Sequence, residues 1–379
     1  MTRALAPREA RRAEALDSFR VRGMPHRRFE HWRYSDLRAQ LDAGQVAQAG
    51  TAQWHVPHLP EGVELFDLAK PEAPAWVEKH LGAIGNRPTM EEASLAFAEG
   101  GVALFVPKGR KIGDPVRLQI SAAGNLRLLV VLEAGAALTL YESHTVDAGL
   151  LRNVGVEVAL DENAVLSHVR VAPPALRSFN IEHIAVEAAR GAQYRAHFAN
   201  FGARLARTEL HILLQGEGSQ AHLSGVTVLG GEGHADVTSH IEHGAGRTLS
   251  TQLFKHVAGG KSRAVYQGKI TVREGADGSD SRQTARALLM SGRAEADLKP
   301  ELIIFADDVK CAHGATVGDL DTESLFYLRS RGIPEREARK LLVHAFLEEA
   351  VMTVEDAALR DAVWHDVEAA LPRAMEAAK

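Results

Sequence analysis

The fold of this chain is decided by four short segments of similar sequence: EAGAALTL (133–140), DENAVLSH (161–168), AARGAQYRAH (188–197) and GEGSQAHL (216–223). Each has a Gly or Asn followed by a small residue, at positions 28, 28 and 27 residues apart: Gly135, Asn163, Gly191 and Gly218. Gly and Asn tolerate the positive φ that a sharp corner needs. A period of roughly 20 to 50 residues with turn residues in register indicates stacked repeats. Repeats built from strands alone favour the coils of a β-helix.

Strand patterns extend on both sides of these segments. Short runs of alternating or β-branched apolar residues, bounded by Gly, Asn and Asp, continue through 101–320 without a long helical stripe. A β-sandwich with evenly spaced turns is the alternative to stacked coils. We therefore predict a mainly β chain in three parts: an N-terminal helical and mixed region (1–100), a parallel β-helix core (101–320) and a C-terminal helical region (321–379).

The C-terminal region has the pattern of three helices. One covers TESLFYLRSRG and ends at Gly332, and Pro334 suits the first position of the next helix. That helix has a largely apolar stripe at helical spacing: Ala338, Leu341, Leu342, Ala345, Phe346 and Glu349. The last helix covers roughly 354–371. We expect this region to pack on the β body or to offer a face to a partner.

Composition restricts the functional class. Of the 379 residues, 45% are hydrophobic and 25% are charged, as in an ordinary globular protein, and the net charge of −5 argues against a nucleic-acid binder. The N-terminus lacks the apolar stretch of a signal peptide, and the most apolar run, 128–141, is shorter than the roughly 20 residues of a membrane helix. A soluble, cytoplasmic protein is expected.

The sequence contains one cysteine, Cys311. This excludes a disulfide framework, a CxxC redox pair, and any zinc or iron–sulfur site built only from the thiolates of this chain.

The motif GGKS (259–262) is similar to the end of a phosphate-binding loop. That loop needs a further Gly where this chain has Lys255, and it must be followed by a helix. A strand pattern follows instead, so we predict a surface turn and no ATP site.

HIEH (240–243) is one candidate metal site, with ligands His240, Glu242 and His243. It would suit a metal-dependent enzyme with a β-barrel or jelly-roll fold, which is the alternative function. On an extended strand, however, His240 and Glu242 face one side and the residue between them faces the other. Hydrogen-bonded or surface histidines are therefore the simpler interpretation of this motif.

DDVKCAHG (307–314) is the second candidate. Cys311 and His313 are two residues apart, so both face the same side of a strand, and a thiolate with an imidazole suits zinc, copper or iron. Asp307 and Asp308 could add carboxylates. Against this, a lone Cys is often a small buried hydrophobe. Two ligands also fall short of the four that a closed site needs, so a metal here requires ligands from another chain.

Three longer stretches resemble the SufB/SufD family of iron–sulfur cluster assembly proteins. The most specific is FADDVKCAHGATVGDLDTESLFYLRSRGIPEREARKLL (305–342), which resembles the C-terminal signature of the family. The block 243–291 is similar to the family core, and SLAFAEGGVALFVPKG (94–109) is similar to the segment that precedes it.

The chain is most similar to the SufD branch of that family. GMPHRRFEHWRYSDL (23–37) resembles the SufD-type N-terminal motif, with Met24 in place of the usual Leu. CAHGAT lacks the Glu that follows the His in SufB-type proteins, and the chain lacks their additional cysteines.

The resemblance implies a right-handed parallel β-helix flanked by helices. It also implies a complex with SufB and with the ATPase SufC, in which the C-terminal helices dock SufC. We assign that docking to the apolar residues of these helices: Leu325, Phe326, Leu341, Leu342 and Phe346. His313 first, and Cys311 second, match positions credited with holding a transient iron–sulfur cluster shared with SufB.

The leading hypothesis is therefore a non-enzymatic scaffold subunit that binds no nucleotide itself. A third interpretation is a purely structural partner of SufB, in which residues 311–313 contribute only packing. Isolated chains could form homodimers, because unpaired β-helix strands favour edge pairing.

Overall fold

A computed structural model describes residues 7–85, 88–145 and 150–376. It contains eighteen strands: β1 (Gln53–His55), β2 (Glu64–Asp67), β3 (Gly101–Val106), β4 (Val116–Ser121), β5 (Gly124–Leu132), β6 (Ala137–His144), β7 (Leu151–Leu160), β8 (Val165–Ala172), β9 (Ala175–Ala188), β10 (Gln193–Asn200), β11 (Ala203–Leu214), β12 (Gln220–Leu229), β13 (His234–His243), β14 (Leu249–Ala258), β15 (Arg263–Val272), β16 (Ser279–Leu289), β17 (Glu295–Ile304) and β18 (Val309–Gly318). The α-helices are α1 (Pro7–Arg22), α2 (Ala43–Gln48), α3 (Ala75–His80), α4 (Thr89–Phe97), α5 (Thr322–Ser330), α6 (Glu335–Val351) and α7 (Ala357–Met375). A short 3-10 turn covers Glu30–Trp32.

The strands form two nine-stranded sheets that alternate along the chain. The even-numbered strands from β4 to β18 follow one another in one sheet, and the odd-numbered strands from β3 to β17 do so in the other. All these neighbours are parallel, and only β1 and β2 pair antiparallel. The result is a parallel β-solenoid of about eight turns, which confirms the β-helix prediction. It excludes the β-sandwich, whose sheets are antiparallel.

The repeated turn residues form one corner of the solenoid. The four predicted positions all have φ between +56° and +70°. They stack directly, since the Gly135 N–H donates to the Glu162 carbonyl and the Asn163 N–H donates to the Arg190 carbonyl. The column continues beyond the predicted repeats to Arg247 and Gly278, which also have positive φ. The period of the turns that end there is longer, because the strands they connect are longer.

Apolar ladders fill the space between the sheets. One ladder takes a single buried residue from each successive odd-numbered strand, in register: Leu104, Val130, Val158, Val186, Ile212, Ile241 and Ile270. Burying one such side chain contributes about 1.5–3 kcal/mol. Because every turn adds a rung, the ladder stabilises the stacking of turns as well as each turn itself.

The C-terminal helices cover the outer face of the even-numbered sheet. Buried residues of α6 and α7, such as Val343, Leu347 and Val363, pack on sheet residues that include Val226 and Val257. The stripe predicted for α6 was therefore wrong in part, because the buried face centres on Val343, Leu347, Ala350 and Val351. Leu341 lies on the exposed face of the same helix.

The N-terminal region covers the opposite sheet. The Arg207 guanidinium lies 4.2 Å from the ring centroid of Trp32 and bonds Asp236 at 2.6 Å, and the Ser35 hydroxyl also donates to Asp236. All four residues are buried, so this contact fixes the segment that begins the chain against the middle of the solenoid. In the described residues, no helix has the length and apolar character needed to span a membrane.

Candidate functional site

The two ends of the solenoid differ. The short antiparallel strands β1 and β2 close the N-terminal end. At the other end, β17 and β18 are the last strands of their sheets, and no strand among the described residues pairs with their outer edges. Apolar side chains are exposed there, including Phe305 at 65% and Val317 at 43%. Unpaired backbone beside exposed apolar side chains is suited to strand addition by another chain.

Cys311 and His313 lie on this last strand. In the ladder between β16 and β18, Cys311 lies opposite Ser281, and His313 lies opposite Gln283. Ser281 and Gln283 are fully buried inside the solenoid, whereas Cys311 is half-buried and His313 is exposed. The structure thus places both candidate ligands on the side of β18 that continues the interior of the solenoid, at its open end.

Cys311 completes an internal column of hydroxyl groups. The Ser281 and Ser250 hydroxyls are 2.6 Å apart, and Ser250 lies 2.9 Å from Nε2 of His243. The other ring nitrogen of His243 bonds Thr248. Each turn therefore satisfies the polar side chain of the previous one, and the thiol is the last member of the series.

His313 completes a second column. The Gln283 amide donates to the Tyr266 hydroxyl at 2.8 Å, and that hydroxyl donates to Gln252 at 3.0 Å. Gln252 also accepts from Ser239 at 2.6 Å. The carbonyl oxygen of the Gln283 side chain is buried without a partner in the described chain. It therefore retains acceptor capacity directly beneath the turn that carries His313.

These polar columns were not predicted from the sequence, although a pattern for them exists. Ser-x-Gln occurs at 250–252 and again at 281–283, and Cys-x-His stands at the corresponding position of the next turn. Once the turn length is known, this repeat places the Cys–His pair in the interior column.

The surroundings of Cys311 favour its protonated form. The thiol packs beside the buried residues Ile270, Val272 and Ala276. Burial, and secondarily the charge of Asp280, raises the pKa of the Cys311 thiol. A metal ion or a positively charged partner group is needed to stabilise the thiolate at neutral pH. Asp307 and Asp308 lie exposed in the turn before β18, where the Asp308 carbonyl accepts the N–H of Gly278.

The alternative site at 240–243 does not assemble, so the enzyme hypothesis built on it is wrong. His240 and Glu242 lie on the outer face of β13, where His240 bonds Thr271 at 3.0 Å and Glu242 bonds Arg273 at 2.5 Å. His243 points into the solenoid and is fully buried. Strand alternation sends the third ligand to the opposite face, and the fold is neither a barrel nor a jelly roll.

The five residues assigned to partner docking lie on α5 and α6. Phe326 is 74% exposed and Leu341 is 51% exposed. Leu325 and Leu342 are half-buried. Phe346 is half-buried against the sheet, with the Lys255 ammonium 4.6 Å from its ring centroid. Phe326 and Leu341 are thus the members with most apolar surface available to another chain.

The GGKS motif forms the turn between β14 and β15, as predicted. Lys261 pairs with the exposed Glu232 at 3.2 Å, and a strand follows rather than a helix. This turn has no helix N-terminus to face a phosphate.

Comparison with known proteins agrees with these features. A family model described as SUF system FeS cluster assembly, SufBD core domain, matches residues 118–346. The chain is 29% identical over 381 residues to the iron-sulfur cluster assembly protein SufD of Escherichia coli, covering 92% of this chain and 90% of that protein. It is 30% identical over 310 residues to SufD of Bacillus subtilis, covering 77% and 70%. It is also 28% identical over 398 residues to a SufBD family protein of Synechocystis, covering 92% and 87%. The chain belongs to the SufB/SufD family and has a role in iron–sulfur cluster assembly.

Proposed function

We propose that this chain is a non-enzymatic scaffold subunit that pairs with SufB through the open end of its solenoid and holds a nascent iron–sulfur cluster between the two chains. In this proposal His313 and Cys311 supply this chain's share of the ligands, and SufB supplies the rest. The protein acts in the cytoplasm, and it contributes no nucleotide site.

The observation that carries the proposal is the position of Cys311 and His313 on an unpaired terminal strand. A strand from SufB that added to β18 would cover both side chains and exclude water from them. Two ligands from one chain leave a cluster site unsaturated until the partner binds. A site that is complete only in one state of a complex can also release its cluster, which a saturated site within a single chain would not do.

SufC docking is assigned to the α5–α6 hairpin. Phe326 and Leu341 expose apolar surface, while α7 and the inner face of α6 are occupied by the sheet. Exposed aromatic and aliphatic side chains beside charged neighbours are typical anchors of protein interfaces. Movement of SufC on ATP hydrolysis would then be transmitted to the solenoid through α6.

The test is co-expression of the full chain with its SufB and SufC partners, followed by anaerobic absorption spectroscopy of the purified complex. We expect His313→Ala to abolish the cluster signal and Cys311→Ala to reduce it, with the complex intact by size-exclusion chromatography. Lys310→Ala is the matched control, because Lys310 lies between them on the same exposed strand and faces the other side.

The opposite result is equally clear. Full cluster signal and full complementation of a deletion strain by the Cys311→Ala/His313→Ala double variant would reduce the chain to a structural partner of SufB. A cluster that forms on this chain without SufB would contradict the shared site.

A further inference from the structure

We propose that Glu142, His144 and Glu182 form a binding site for one divalent first-row transition-metal ion inside the solenoid, separate from the Cys311–His313 pair. Glu142 and His144 come from β6 of one sheet, and Glu182 comes from β9 of the other. One donor atom from each residue lies within 4.8 Å of the other two. Imidazole and carboxylate together are the donors that iron, manganese and zinc accept.

The three side chains are deeply buried, with exposed fractions of 0%, 6% and 3% for Glu142, His144 and Glu182. Buried carboxylates are costly unless they are paired or bind a metal. Hydrogen bonds within the chain leave part of this cluster unused. His144 Nδ1 and Glu182 Oε1 are buried without a partner among the described residues, and Glu182 Oε1 lies 3.9 Å from His144 Nε2.

A small cavity lies beside these unused atoms. Its volume is about 10 Å³, and its lining includes His144, Glu182 and Asn180. That is close to the smallest space that admits a single water molecule. A bare divalent ion is smaller than water, so the space suits an ion bound directly by side chains rather than a hydrated one.

Surrounding residues hold the carboxylates in place. His168 lies with Nε2 3.1 Å from Glu142 Oε2 and with Nδ1 3.0 Å from the Tyr194 hydroxyl. The consistent tautomer has Nε2–H donating to Glu142 and Nδ1 accepting from Tyr194, which leaves Oε1 of Glu142 for the ion. Arg170 bonds Oε2 of Glu182 and so leaves its Oε1. His168 and Arg170 are therefore positioning residues of the kind that orients metal ligands.

Without metal, a proton occupies the same place. His144 Nε2 and Glu142 Oε1 are 2.5 Å apart, a short hydrogen bond between an imidazole and a carboxylate. An ion that binds Glu142 Oε1 and His144 must displace this proton. Metal uptake should therefore release a proton, as ligand deprotonation does in other metal sites.

The experiment measures metal in the full chain produced in media that supply iron, manganese, zinc or only magnesium. After anaerobic purification, elemental analysis should find close to one iron, manganese or zinc ion per chain, and no retained magnesium. A chain produced with cobalt should show visible d–d absorption. Calorimetry in buffers of different ionisation enthalpy should detect the released proton when apo-protein is titrated with zinc.

Variants separate the ligands from their surroundings. Glu142→Gln and Glu182→Gln should lower the bound metal at least tenfold, and His168→Gln should weaken zinc binding by about 10- to 100-fold. His197→Asn removes another buried imidazole outside the cluster and should retain the metal. The Cys311→Ala/His313→Ala variant should also retain it, which distinguishes this site from the proposed cluster site.

Wild-type protein decides the proposal even if a variant fails to fold. Less than about a tenth of an ion per chain in every medium, with no cobalt d–d bands, would show that the cluster is only a hydrogen-bonded network. Unchanged metal content in a folded Glu182→Gln variant, judged by circular dichroism, would also overturn the assignment.

Discussion

Cys311 lies opposite Ser281 in the last ladder of the solenoid, so its thiol continues a column of hydroxyl groups that runs through the buried turns beneath it. In those turns each polar side chain finds its partner in the neighbouring turn. The column ends at β18 because no described strand lies beyond it. The chemistry of the candidate site and the open edge of the fold therefore have one structural origin.

Closing this edge with charge should prevent association. Val317 lies on β18 opposite the buried Ala287, so a lysine there places an ammonium where an added strand must pack. We expect Val317→Lys to abolish SufB pairing, and any homodimer of the isolated chain, because edge lysines block strand addition. Light scattering and co-purification measure both.

Val21→Lys is the control for added charge, since Val21 is 87% exposed on α1, far from β18 in sequence. SufB pairing that survives in folded Val317→Lys would show that the partner binds elsewhere on the solenoid.

Buried neutral histidines should make the protein sensitive to acid. Burial lowers the pKa of His256 from 6.5 to about 4, and both of its ring nitrogens lack partners in the described chain. The unfolded state then binds more protons than the folded state between these values. Stability is fully present above pH 6.5 and is lost as the pH falls towards 4. One such group costs about 3 kcal/mol across this window.

Urea unfolding midpoints from pH 7.5 to pH 4.5 measure this effect. His256→Phe should flatten the profile, because it removes one group that must be protonated on unfolding, whereas the exposed His58→Asn should not change its slope. An unchanged profile in His256→Phe would mean that the buried ring is already protonated.

Two glycines allow the end of α7 to approach the solenoid. A Cβ at Gly259 would overlap the backbone of Ala374, and one at Gly230 would overlap that of Arg373. Gly259→Ala should therefore push α7 away from the sheet and cost about 1–3 kcal/mol, as overpacking does. Thermal unfolding and limited proteolysis of the C-terminal segment check this.

Gly292→Ala is the matched control, because a Cβ there meets nothing within 4 Å and its φ is not positive. Equal thermal midpoints for Gly259→Ala and the control would mean that α7 is not held closely against this corner.

The corner residues explain why the solenoid could be predicted. Gly135, Asn163 and Gly191 are constrained locally by positive φ, and local constraints repeat visibly in a sequence. The buried face of α6 could not be predicted in the same way. That helix has apolar residues on two adjacent faces, and only contact with the sheet selects Val343 and Leu347 over Leu341.

The candidate site shows the same division. The shared face of Cys311 and His313 follows from strand alternation, but their position at an open end depends on where the last turn stops. The buried cluster of Glu142, His144 and Glu182 was not predicted, because its members come from two sheets and are 38 residues apart at most only along the chain. Topology alone brings them together.

Docking of SufC should depend on the exposed face of the α5–α6 hairpin. Removing 322–379 altogether is a poor test, because the helices cover apolar sheet residues such as Val226 and Val257 that truncation would expose to water. Point variants avoid this problem. Phe326→Ala and Leu341→Ala remove exposed side chains and should leave the thermal midpoint unchanged, since surface substitutions rarely alter stability.

Each of these variants should weaken SufC binding by about tenfold or more, which corresponds to ~1.4 kcal/mol, because apolar anchors dominate interface energies. Arg336→Ala, an exposed polar residue in the first turn of α6, is the control and should change affinity little. Binding is measured by calorimetry with purified SufC. Wild-type affinity in the Phe326→Ala/Leu341→Ala double variant would move the docking surface away from this hairpin, because no other residues of α5 and α6 expose comparable aliphatic or phenyl surface in the described chain.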